Sequence, residues 1–407
     1  MYARNYEAFL AFDEVTIRCT DESKVVCNTD ESVYDFYDAI ANAPPADRKD
    51  MQKCYGIKFN PHGLMSNCRS IYKPVSHTIR DWMHMLVSGG IANVQLARVL
   101  VALTQARVTL NTVGAFVEAV HLPSRHGKTS ASWVSNKRLG KKKDSLGSFA
   151  GTMLSLIPIL TTYMVMTVAD GDPLQDHRDC LVLLNLLVGA LTLGPEKAMD
   201  VIGYIDDLIK TWAVAYEKLY PGSAVKPKFH HIVMHLVRDA KRIGKLLSCF
   251  VTERKHRATK RSALFTFKGI DNAVCKDMLN KQVTALQNRS QMLFCESYLR
   301  NPTEAVINGM RFRTSKHAVL PTGGLHIHDV VYLLDGRVGI VKKFWTTCDS
   351  DAIVVMLQLL QQVDENVFDK SIDFDIAIDA DTIADAAMWF DVAPGKIHVI
   401  KPVRAMF

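Results

Sequence analysis

From Ser145 to Ala169 the chain reads SLGSFAGTMLSLIPILTTYMVMTVA, twenty-five residues without a charge. A run of that length either lies in a protein core or crosses a membrane. Lysines 141 to 143 precede it like the inner flank of a membrane span, and a second apolar run, Leu181 to Leu193, follows a short polar loop. A membrane hairpin is therefore one reading. The Ser, Thr, Gly and Pro content of the first run, the shortness of the second and a mean hydropathy of +0.03 favour the other, core helices of a large α-domain. With 407 residues, 48% of them hydrophobic and 22% charged, the chain can bury sizeable cores and is expected to form two or three domains.

Residues 1–76 mix short β-like pieces, EVTIRC and SKVVC, with a helical SVYDFYDAIANA ending at PPADRKD, and read as an α/β fragment. Residues 77–317 are mainly helical by periodicity, with helices expected over 81–105, 108–120, 149–168, 178–193, 195–220, 228–243, 252–262 and 270–300. A Lys/Arg/Ser/Gly segment at 124–145 interrupts them and reads as a mobile loop that includes Lys137, Arg138, Lys141, Lys142 and Lys143. Residues 318–407 show β-branched alternation around an Asp335-Gly336 turn, and read as a small, acidic, SH3-like barrel.

Net charge is +7, yet residues 318–407 hold seven Lys/Arg against thirteen Asp/Glu, so the remainder carries +13. A basic remainder favours a polyanionic partner, with nucleic acid ahead of an anionic membrane, and an acidic tail suits a basic protein ligand. No phosphate-cradling Gly-rich loop indicates nucleotide hydrolysis, and no small-molecule substrate is expected. Nine dispersed cysteines without a C-x-x-C pair read as reduced intracellular thiols. In KFHHIVMH, His231 and His235 stand at i,i+4, a spacing that suits a metal, although buried structural histidines are the better reading. The opening residues carry no apolar leader, and the expected compartment is the nucleus.

Two short groups carry chemistry. HTIRDWMHMLVSGG places Asp81 and His84 on one face at the opening of a helix. The plain reading is a helix start with Trp82, Met85 and Leu86 in the core. FVTERKHRATKR surrounds one acid, Glu253, with Arg254, Lys255, Arg257, Lys260 and Arg261. That is either an ordinary solvated helix face or a phosphate-binding surface beside a metal-binding carboxylate.

The order DWMHMLVSGG, a helical run, then LLNLLVGALTLGPEKAMDVIGYIDDLIKTWAVAYEKLYPGSAVKPKFHHIVMHLVRDAKRIGKLLSCFVTERKHR resembles the catalytic region of CACTA-type DNA transposases over about Tyr55 to Arg261. Those are RNase H-like DDE nucleases with an Asp-x-x-His signature and an α-helical insertion. The resemblance implies an α+β fold: a partial RNase H-like core, a large all-α insertion and a small C-terminal β-barrel-like domain. It makes Glu253 the third catalytic acid and a metal ligand, and Asp81 and His84 the Asp-x-x-His pair. It implies Mg²⁺ or Mn²⁺ in the complete enzyme, with DNA as partner and a homo-oligomer as a compatible state. The family's two upstream aspartates have no clear counterpart. Asp13 in FLAFDEV is the one strand-like candidate, so the chain is expected to be the C-terminal part of an enzyme, inactive alone. The alternative is a non-catalytic interaction protein whose acidic β-rich domain reads a partner.

Overall fold

The computed structural model describes residues 28–135, 145–221, 227–249, 297–307, 310–320, 323–347 and 352–401, together with Leu139, Lys276, Leu279 and Asn280. The protein is α+β, with helices in its first part and antiparallel sheets after residue 297. It divides into two units, the first made of 1–106, 137–154 and 168–248, the second of 107–136, 155–167 and 249–407. The main helices are α1 (Asp30–Asn42), α2 (Pro45–Tyr55), α3 (Ile91–Gln105), α4 (Leu110–Ala119), α5 (Ala150–Thr167), α6 (Gln175–Leu191), α7 (Ile202–Leu219) and α8 (Val237–Ile243).

The first unit opens with α1, started by a capping box in which Thr29 and Ser32 satisfy each other's backbone N–H. The segment PPADRKD, expected only to end that helix, also begins α2, with Pro45 at the first helical position, where no N–H is needed. Residues 28–76 contain no strand among those described, and EVTIRC and SKVVC lie outside them.

The core of this unit is built on α3, α6 and α7. Almost all of α3 is buried, as its apolar character on every side requires. Its buried polar residue Gln95 is satisfied twice: it donates to the Cys180 carbonyl at 3.0 Å and accepts from Trp212 Nε1 at 2.9 Å, tying all three helices. The buried Cys180 thiol is pushed up to about 12, first by desolvation.

The second unit contains α4 and most of α5, the uncharged run. Met153, Leu156, Ile157, Ile159, Leu160 and Met164 are fully buried, whereas Val165 and Met166 are exposed. Among the described residues two helical stretches are long and apolar enough to cross a membrane, Met83–Gln105 and Ala150–Thr167, with 78% and 50% of the apolar window buried.

Twelve strands belong to this unit: β1 (Tyr298–Arg300), β2 (Thr303–Ile307), β3 (Met310–Ser315), β4 (His317–Leu320), β5 (Gly323–His326), β6 (Val330–Leu333), β7 (Val338–Thr347), β8 (Val354–Asp364), β9 (Val367–Asp379), β10 (Ile383–Ala386), β11 (Met388–Ala393) and β12 (Lys396–Ile400). One sheet runs β1-β4-β5; the other runs β10-β6-β7-β8-β9-β12-β11, with the β2-β3 hairpin joined to β7. Both paths are open. The first strand lies at Tyr298, inside the span 270–300 expected as helix, because three residues of β1 find ladder partners in β4. The Asp335-Gly336 turn forms as expected, with Gly336 at φ +87 and Asp335 accepting from Arg337 Nε at 2.7 Å.

The segment expected as a mobile loop is partly built in. Ser124 donates through N and Oγ to the buried Asp329, at 3.0 and 2.7 Å, and Val134 is fully buried. Short 3₁₀ turns at Ser124–His126 and Ala131–Val134 supply local order that composition alone hides.

Candidate functional site

Asp81 and His84 form one hydrogen-bonded unit. The Asp81 carboxylate accepts from the backbone N–H of Met83 at 3.2 Å and of His84 at 3.1 Å, and meets His84 Nδ1 at 2.5 Å. The helix-start role and the Asp-His pairing therefore coexist, while Trp82, Met85 and Leu86 enter the core. A carboxylate on Nδ1 selects the Nδ1–H tautomer and makes Nε2 the lone-pair nitrogen. The Asp81 side chain is 13% exposed and that of His84 44%, so the orienting group is covered and the imidazole is presented.

The helix carrying the pair does not continue as α. Met83–Val87 is a π-turn, closed by Ser88 N–H to the Met83 carbonyl at 2.7 Å. Gly89 at φ +58 and Gly90 let the backbone turn into α3. A Cβ on Gly90 would stand 2.3 Å from the Met85 carbonyl oxygen, so no other residue fits there unshifted. The carbonyls released at this end are taken by Lys228, whose Nζ donates to those of His84 at 2.8 Å, Ser88 at 3.3 Å and Gly89 at 3.0 Å. Half-burial lowers the pKa of Lys228 through desolvation.

Lys228 belongs to a second interrupted helix: Pro227–His231, a π-turn at Ile232–Leu236, and α8. Regular α geometry would pair His231 with His235 at i,i+4. The wider π-turn instead sets His230 against His235 at i,i+5, Nε2 to Nε2 at 3.2 Å, both side chains nearly inaccessible. Arg238 Nη2 stands 2.6 Å from His235 Nδ1, and a guanidinium only donates. His235 therefore carries its proton on Nε2 and donates to His230. Desolvation, helped by the positive charge of Arg80, lowers His235 to about 2. Desolvation likewise lowers His230 and His231 to about 4. All three are neutral at pH 7.

Below them Asp239, 3% exposed, accepts from Arg80 Nη1 at 3.0 Å and from Arg80 N at 3.3 Å. Arg242 donates to the carbonyls of Ser76 and of Thr78, the latter at 2.9 Å. Arg80, Lys228, His230 and Asp239 were not singled out from the sequence. A signal was present: Arg80 adjoins Asp81, and Asp239 is the one acid in VRDAKRIG.

Glu253, Arg254, Lys255, Arg257, Lys260 and Arg261 lie outside the described residues, as do Lys137, Arg138, Lys141, Lys142, Lys143 and Asp13. The Mg²⁺ implied by the resemblance needs carboxylate oxygens turned towards the ion. Asp81 does not fit that need, because Oδ1 is engaged by Met83 N–H and Oδ2 by His84. The pair is built to orient an imidazole. No protein-family model matches the chain, and neither does any curated protein.

Proposed function

We propose that this chain is a transposase-derived DNA-binding protein of the CACTA type, nuclear, with an RNase H-like core interrupted by an α-helical insertion and followed by an SH3-like barrel domain. One observation carries the reading. The two ends of the implied insertion, separated by 144 residues at His84 and Lys228 and by 159 at Arg80 and Asp239, are held together by direct hydrogen bonds. A helical insertion in a catalytic core has to leave and return at one place, and FVTERKHR follows that return by a few residues.

In this reading Asp81, Lys228 and the Arg80–Asp239 pair are positioning residues that fix the backbone leading to Glu253. Arg254, Arg257 and Lys260 neutralise DNA phosphates and release condensed cations. The test is a salt titration of duplex binding. R254Q/R257Q/K260Q should lower the slope of log K against log[salt] by up to about 3, at about 0.9 per phosphate contact. An unchanged slope sinks the proposal, as does the absence of binding at low salt.

The alternative, a basic protein partner for 318–407, draws on the exposed acids Asp364, Glu365, Asp375, Asp379 and Asp381 around β8 and β9. Pull-down with the full chain and a variant neutralised at those five positions separates it from DNA binding.

A further inference from the structure

The acidic tail hides a basic cleft. A hollow of about 530 Å³ in the second unit is lined by Arg300, Lys316, Lys342 and Lys343, by Asn301, Thr303, Thr314 and Ser315, and by His317 and Ile327. Four of the ten are cations and none is an acid.

The backbone assembles these groups. The ladder between β7 and β8 shifts register between Val341 and Lys343, a bulge that leaves Lys342 and Lys343 both exposed between the buried Val341 and Phe344. In a regular strand consecutive side chains point to opposite faces, so the bulge is what turns two adjacent lysines to solvent. The end of β3 pairs with the same part of β7, Ser315 opposite Phe344, which sets Ser315 and Lys316 beside them. Arg300 is held from the other side: Asn301 takes a left-handed φ of +49 that turns β1 towards β2, and Ser315 Oγ donates to the Arg300 carbonyl. His317 packs edge-on against His326, ring centroids 3.8 Å apart.

Among the described residues no carboxylate forms an ion pair with Arg300, Lys316, Lys342 or Lys343, although other cations of this sheet are so paired: Arg337 with Asp335, and Lys370 with Asp391. Gathering four like charges around one hollow raises the energy of the empty protein and favours a polyanion in it. Phe, Tyr and Trp are absent from the lining, so the cleft offers no stacking platform for bases and its hydroxyls and cations suit phosphate oxygens.

We infer that this cleft between β1, β3 and β7 is a second nucleic-acid contact that seats the DNA phosphate backbone without reading bases. It stands on different residues from the 250–261 run and survives if that run binds nothing. The acids around β8 and β9 would repel the same backbone and so orient it towards the cleft.

The experiment uses the full chain and a fluorescein-labelled duplex, with anisotropy read from 50 to 200 mM NaCl. R300Q/K316Q/K342Q/K343Q should bind at least tenfold more weakly at 100 mM and show a salt slope lower by roughly 2–4. K342R/K343R, which keeps the charge, should bind like the parent, and circular dichroism should show every variant folded. Unchanged affinity and slope in the fourfold variant overturn the inference. If R254Q/R257Q/K260Q loses binding while the fourfold variant does not, the cleft is no DNA contact and the proposed function stands. If only the fourfold variant loses binding, the cleft is upheld and the role given to the 250–261 run falls. Inorganic phosphate that displaces the duplex at low millimolar concentration would make the cleft a small-anion site and overturn the DNA assignment. Strong sequence preference lost with the fourfold variant would likewise contradict a contact that reads no bases.

Discussion

Replacing Asp239 by alanine tests the clamp between the two interrupted helices. Asp239 is 3% exposed and receives two hydrogen bonds from Arg80, whose side chain is 11% exposed. The substitution therefore strands a covered guanidinium next to three neutral histidines, and removing one partner of a buried pair costs about 3–5 kcal/mol. With a urea m-value of about 2 kcal/mol/M, the midpoint for the first unit should fall by about 1.5–2.5 M. Urea titration read by hydrogen exchange on peptides covering 202–219 and 227–243 isolates this unit from the sheets. R80M/D239L, which removes both charges, should recover most of the loss, because an apolar pair of similar size is often as stable. A shift below about 0.3 M in D239A, where a solvated surface pair belongs, would refute the reasoning.

Acid should weaken the same unit. His230 and His231 fall to about 4 and His235 to about 2 when folded, against an ordinary value of 6.5, so the unfolded chain binds more protons in between. Their contribution is complete above about pH 6.5 and is lost as pH falls towards 4, at up to about 2 kcal/mol per histidine by pH 5. H230Q/H231Q/H235Q should flatten that pH dependence in urea melts. Gly90→Ala should destabilise the unit by about 3 kcal/mol, since the atoms it meets are backbone, and a melt matching the parent would contradict this. Asp329→Ala orphans the N–H groups of Ser124 and His326, which should cost about 1–3 kcal/mol each and expose the segment after Ser124 to limited proteolysis. The chain should sediment as a soluble species without detergent, and a requirement for detergent would favour the membrane hairpin.

The long periodic patterns were legible. The helix expected over 149–168 is Ala150–Thr167, that over 108–120 is Leu110–Ala119, and the Asp335-Gly336 turn lies where its residues place it. Asp81 and His84 were legible as a pair because three residues separate partners on one helical face. Arg80 with Asp239 was not, since nothing local announces a partner 159 residues away. The π-turns were hidden too: five residues are too few to change a hydrophobic period, yet they decide that His230, not His231, faces His235 at hydrogen-bond distance. β1 was read as helix because its pairing with β4 outweighs a weak local preference.

Each π-turn is geometrically an α-helix into which one extra residue has been squeezed. Deleting Val233 would let Ile232–Leu236 relax into α geometry and rotate everything after it by about 100° relative to the chain before it. Asp239 would swing away from Arg80 and His235 from His230. The same helix would tolerate many exchanges of side chain on its exposed face, at Arg238 or Lys241 for instance, while a single lost codon would dismantle it. Length, more than identity, is what this stretch has to keep.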